Sequence, residues 1–137
     1  MGKLTKKAID VLKQDKDGFI LLIEGSQIDW AEHENDQQYM LDELHDFSLA
    51  VTEAVKFALE DKNTLVVVTA DHETGGVAIT GGDSMGKKIE VSFNTFYHTA
   101  GVVPVFAKGP SEELFRGVYS NHDIGKKLIS LTTKEKK

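Results

Sequence analysis

Cysteine is absent from the 137 residues. That excludes disulfides and thiolate metal sites, so a metal bound here takes nitrogen and oxygen ligands. Proline is confined to Pro104 and Pro110, and arginine to Arg116. With a formal charge of −6 and an isoelectric point near 5.3, nucleic acid is excluded as the main partner, because affinity for a polyanion rests on lysine and arginine. An acidic chain still binds phosphate where metal ions supply local positive charge. No apolar run is long enough to span a bilayer. Residues 1–18, MGKLTKKAIDVLKQDKDG, lack the apolar segment of a signal peptide. The expectation is a cytosolic protein or a chain that does not begin where its gene product does.

What is present describes a globular chain. Apolar residues make up 40% and charged residues 28%, in a length suited to one domain over residues 1–137 with TTKEKK (132–137) as a frayed tail. Leu4, Ala8, Ile9, Val11 and Leu12 recur at helical spacing and predict a short helix over 4–14, which DKDG ends. FILLI (19–23) and TLVVVTA (64–70) are continuous apolar runs of strand length, as strands covered on both faces require. Between them, Met40, Leu41, Leu44, Phe47, Val51, Val55, Ala58 and Leu59 form the stripe of a long helix over 37–60, capped by Asn35 or Asp36. Strand, helix, strand predicts a parallel pair with a right-handed crossover. GGVAIT and IEVSF flank a glycine-rich turn and read as a hairpin; VVPVFA (102–107) is a further strand, SEELF a helical turn, and 121–131 a closing helix. The fold class is α/β, a mostly parallel sheet sandwiched by helices.

In open α/β sheets ligands bind beyond the carboxyl ends of the strands. The first run ends in Glu24, followed by Asp29 and His33. The second ends in Asp71 and His72. Parallel neighbours bring both sets to one edge, and carboxylate with imidazole is the donor set of a hard or borderline divalent ion. Taken singly, each has a plainer reading: Glu24 as a solvated carboxylate, and Asp29 with His33 as a surface pair that shares a face only if its loop is helical. The adjacent Asp71 and His72 are harder to explain without a partner. His98 reads locally as a lone loop histidine; if it joins the site, the strand after it runs antiparallel to the other two. His45 and His122 read as surface or capping residues, and Trp30 as packing. The glycines lack the strand–GxxxxGK–helix context of a phosphate loop. Asp83 and Ser84 read as a turn.

LLIEGSQIDWAEHENDQ, LVVVTADHETGG and YHTAGVVPVFAKGP together resemble three consecutive signature blocks of the alkaline phosphatase family, in order over about residues 19–131. The resemblance implies that family's fold, in partial form. It also implies Glu24 on magnesium, Asp29 and His33 with His98 on a first zinc, and Asp71 with His72 on a second. His98 thereby becomes a ligand. Tyr97 stands where many relatives carry a small residue, commonly glycine, which bears on access to the first zinc and not on the ligand. The implied activity is hydrolysis of phosphate monoesters between two metals about 4 Å apart. The implied location is the periplasm or outside the cell.

The family's upstream blocks, with the serine nucleophile in a D-S-A context, an aspartate bridging two metals, a threonine on magnesium and a phosphate-clamping arginine, find no match here. The chain therefore reads as a C-terminal portion, truncated or split, inactive alone, and self-associating, most simply as a homodimer, through surface the missing half would cover. Two other functions fit the same residues. One is a related phosphodiesterase, sulfatase or phosphomutase; the other is a non-catalytic zinc-binding module.

Overall fold

A computed structural model describes residues 1–133 of the chain. Helix α1 (Gly2–Leu12) precedes a turn at Gly18, and a short helix α2 (Gln27–His33) leads into the long α3 (Gln37–Asp61). Asp36 begins α3 by accepting a hydrogen bond from Tyr39 N at 2.9 Å, so an otherwise orphaned amide is satisfied. Lys62, in the left-handed region, ends it. Both α1 and α2 pack against α3. Ile9, Ala31, Met40, Ala50 and Ala58 are buried in these helices. Leu44 and Leu59 of the expected stripe are exposed, so the covered face of α3 is narrower than its periodicity predicts.

Three short antiparallel ladders follow. Strand β1 (Val66–Val68) pairs with β6 (Phe106–Lys108), β2 (Glu73–Thr74) with β5 (His98–Thr99), and β3 (Ala78–Gly82) with β4 (Ile89–Ser92). The hairpin, the 3-10 turn at Glu112–Phe115 and the closing helix α4 (Asn121–Thr132) lie where the sequence pattern puts them. The Asp83 carboxylate accepts from Met85 N and Lys87 N and organises the hairpin tip, as a turn at Asp83–Ser84 requires. The strand after His98 is antiparallel to β1, the orientation needed if His98 belongs with the ligand edge. Residues 134–137 of the expected frayed tail lie outside the described residues.

The expected parallel sheet is not seen among the described residues, whose ladders are all antiparallel. Residues 19–23 carry no ladder. Their exposure alternates: Phe19, Leu21 and Ile23 are half-covered, while Ile20 is 79% and Leu22 90% exposed. Alternation of this kind is that of a pleated strand with one face on a layer and the other open. Phe19 lies over Phe57 of α3, with ring centroids 6.1 Å apart. Cover for both faces, the condition a parallel strand needs, is lacking within the described residues.

Candidate metal centre

The ligand residues come from three segments, and short-range backbone geometry brings them together. Asp29 and His33 lie four apart on α2, whose helical pitch places both on one face. In the β2–β5 ladder Thr74 is directly opposite His98. Gly75, just beyond, has φ +80°, and a Cβ there would lie 3.3 Å from the Glu32 carbonyl oxygen of α2 and 3.1 Å from the Phe93 ring. The left-handed backbone at this glycine lets β2 approach α2 closely. Gly75 O accepts from Asn94 N and Thr95 N, and Gly75 N donates to Tyr97 O. In the orientation that satisfies both acceptors, the Asn35 amide nitrogen lies 2.9 Å from Glu32 O and from Thr95 O. The end of α2 and the approach to His98 are thus tied to a common point.

At that point Asp29, His33 and His98 each offer one ligand atom, all within 4.8 Å of one another. His33 Nε2 is 3.1 Å from His98 Nε2 and 3.4 Å from Asp29 Oδ2, and His98 Nε2 is 3.6 Å from Asp29 Oδ1. His33 Nδ1 is 2.6 Å from Phe96 O. A carbonyl only accepts, so Nδ1 carries the proton and neutral His33 presents a bare Nε2 to the cluster. Two imidazole nitrogens at 3.1 Å need a proton or a cation between them. This donor set, two imidazoles and a carboxylate, fits zinc, whose ordinary ligands these are.

The His72 ring stacks on His98 with centroids 3.7 Å apart, and its Nε2 is 3.3 Å from Asp71 Oδ2. Asp71 itself is 84% exposed. Glu24 is exposed and is outside the Asp29–His33–His98 group. The structure thus brings four of the six expected ligands together, with Asp71 at their margin and Glu24 apart. His45 and His122 are exposed, and His122 pairs with Asp123 at the start of α4. Trp30 is 61% exposed beside Asp29, which corrects its reading as packing: helix α2 turns the Asp29–His33 face inward and leaves the adjacent residue outside.

Two residues outside the expected ligand set also face the cluster. The hydroxyl of buried Thr74 contacts both Asp29 and His72. Glu32 is half-buried, and burial, reinforced by the Glu73 and Asp29 carboxylates, pushes it up to about 7. Glu73 is held by Val77 N and the Thr99 hydroxyl. A cleft of about 320 Å³ opens beside Asp71 and His72 and is walled by Val102, Val103 and Val118. The larger cleft, about 510 Å³ and bordered by Arg116, carries none of the candidate ligands.

Comparison with known proteins bears on the family and the fold. Residues 1–92 match the family model for alkaline phosphatase. Alkaline phosphatase 3 of Bacillus subtilis (strain 168) is 55% identical over 76 residues, 56% of this chain and 16% of that protein. The structure of alkaline phosphatase from the Antarctic bacterium TAB5 superposes on 96% of this chain with a TM-score of 0.86 and 40% identity, and the match takes in 40% of that chain. A substituted form of the TAB5 enzyme, with magnesium bound in its M3 site, is 41% identical over 93% of this chain and 40% of its own, with a TM-score of 0.84. The chain spans well under half the length of these relatives. Over the part it does span, sequence and fold agree, and the chain belongs to the alkaline phosphatase family.

Proposed function

We propose that this chain carries the greater part of the metal-ligand set of a phosphomonoester hydrolase that works with two zinc ions and one magnesium ion. The observation that carries the reading is the convergence of Asp29, His33 and His98 from two separate segments. In this reading those three hold the first zinc, Asp71 and His72 the second, and Glu24 the magnesium. When bound, the ions supply Lewis acidity toward a phosphoryl group. The chain's own residues do the positioning. Phe96 O fixes the His33 tautomer, and the β2–β5 ladder holds His98 across from Thr74. Val102, Val103 and Val118 line the cleft beside His72 and give that side of the centre an apolar wall.

No residue here matches the family's serine nucleophile, so the chain alone is inactive toward phosphate monoesters. With zinc and magnesium present, release of p-nitrophenol from its phosphate ester is expected to stay at the level of a protein-free control. Turnover comparable to a complete enzyme overturns this. The run at 19–23 is a sheet strand whose parallel neighbour and outer cover come from outside the described residues, a reading supported by the exposure of Ile20 and Leu22. Val102 and Val118, 84% and 89% exposed, add to the open apolar surface and support association of the isolated chain as a homodimer. Sedimentation at micromolar concentration tests that, and a strictly monomeric species contradicts it. Export to the periplasm or beyond the cell follows from family resemblance alone. No helix among the described residues is long and apolar enough to cross a membrane.

A further inference from the structure

Thr74 is the most deeply buried polar side chain of the chain's described residues, 2% exposed, and it sits between the two ligand pairs. Its Oγ1 is 2.5 Å from Asp29 Oδ1 and 3.2 Å from His72 Nδ1. A hydroxyl has one proton to give and lone pairs to receive with. An ionised carboxylate can only accept, so at the shorter contact the proton goes to Asp29. The second contact then requires His72 to donate from Nδ1. A neutral imidazole protonated at Nδ1 has a bare Nε2. That nitrogen faces Asp71 Oδ2 at 3.3 Å, an acceptor pair that a cation would bridge. Without a cation, the 84% exposed Asp71 competes for the ring proton only through a water-screened contact.

We propose that Thr74 is a positioning residue linking the two halves of the centre: one hydroxyl orients the Asp29 carboxylate and selects the His72 tautomer whose Nε2 is open to a cation. The part of the proposal that concerns metal affinity rests on the metal-ligand reading above; the tautomer does not. The β2–β5 register adds a third tie, since Thr74 lies opposite His98 in the ladder. Thr74 thereby touches or faces a residue from every segment of the cluster. Its β-branch suits the strand, but valine would serve the strand equally well. Valine would leave Asp29 without a donor and His72 free to take either tautomer.

The test compares the unsubstituted chain with Thr74→Val and Thr74→Ser. Nitrogen-15 spectra of the histidine rings are recorded without metal at about pH 8.5, two units above the ordinary histidine value. Zinc affinity is measured separately by competition with a chromophoric chelator. The proposal expects His72 to be protonated at Nδ1 in the unsubstituted chain and in Thr74→Ser, and to lose that preference in Thr74→Val. It expects zinc affinity to fall about 10–100-fold in Thr74→Val, the usual cost of losing a ligand's hydrogen-bond partner, and to be largely restored in Thr74→Ser. His72 protonated at Nε2 in the unsubstituted chain overturns the proposal, and this arm holds even if Thr74→Val fails to fold. A folded Thr74→Val with unchanged tautomer and unchanged zinc affinity overturns it as well. A chain that binds no zinc but shows the tautomer change sinks the metal reading and leaves the hydroxyl's role standing.

Discussion

Asp29, His33 and His98 lie on a helix face and a two-residue ladder that are tied to each other through Gly75 and Asn35, whereas Glu24 and Asp71 lie on exposed stretches at the ends of the two apolar runs. The first group is assembled by contacts of the chain with itself. The second depends on where two strand ends stand relative to one another, and no ladder joins those strands among the described residues. Preorganisation is thus unequal across one candidate centre. A ligand set fixed by local geometry binds without first ordering its parts, while one fixed by sheet topology must wait for the sheet.

The largest effect that would break this contrast comes from the ligands themselves. His33→Ala or His98→Ala is expected to lower zinc affinity by more than the ~10–100-fold typical of an outer-shell loss, measured by chelator competition. Next is Ala31→Leu. Ala31 is fully buried in the α2 turn that carries Asp29 and His33. Overpacking there is expected to cost about 1–3 kcal/mol in urea unfolding and to weaken zinc binding by moving α2.

A pH effect in the metal-free chain sharpens the comparison further, because it belongs to the assembled half only. Glu32 stands at about 7 when folded, above its ordinary 4.5. A raised folded value means that its contribution to stability is complete below about pH 4.5 and is lost as the pH rises through about 7. Urea midpoints are expected to fall across that window, and Glu32→Gln to flatten the fall. The smallest effect is expected at the open half. Glu24→Gln should leave the affinity for the first zinc essentially unchanged, and a loss as large as that of His33→Ala would erase the distinction.

The same division runs through what could be read from sequence. Helix α3, the β3–β4 hairpin, the 3-10 turn and α4 follow from periodicity, capping and turn residues, all of which act within a few positions. The apolar run at 19–23 states what cover a strand seeks but not which neighbour supplies it, and the parallel pairing inferred from it is not among the ladders. His98 looked like a lone loop histidine on local grounds because its partner, Thr74, is 24 residues away across a ladder only two residues long; family resemblance, not local pattern, assigned it. Thr74 did leave one trace. It stands two positions after His72, the spacing that puts side chains on the same face of an extended chain. Glu32 left none, since its environment is made by α2 meeting β2.

X-ray absorption on the purified chain with one equivalent of zinc tests the preassembled site most directly. The account predicts zinc retained through dialysis, coordinated by two imidazoles and oxygen, with one imidazole lost in His98→Ala. Zinc that washes out, or a coordination shell unchanged by His98→Ala, would contradict it.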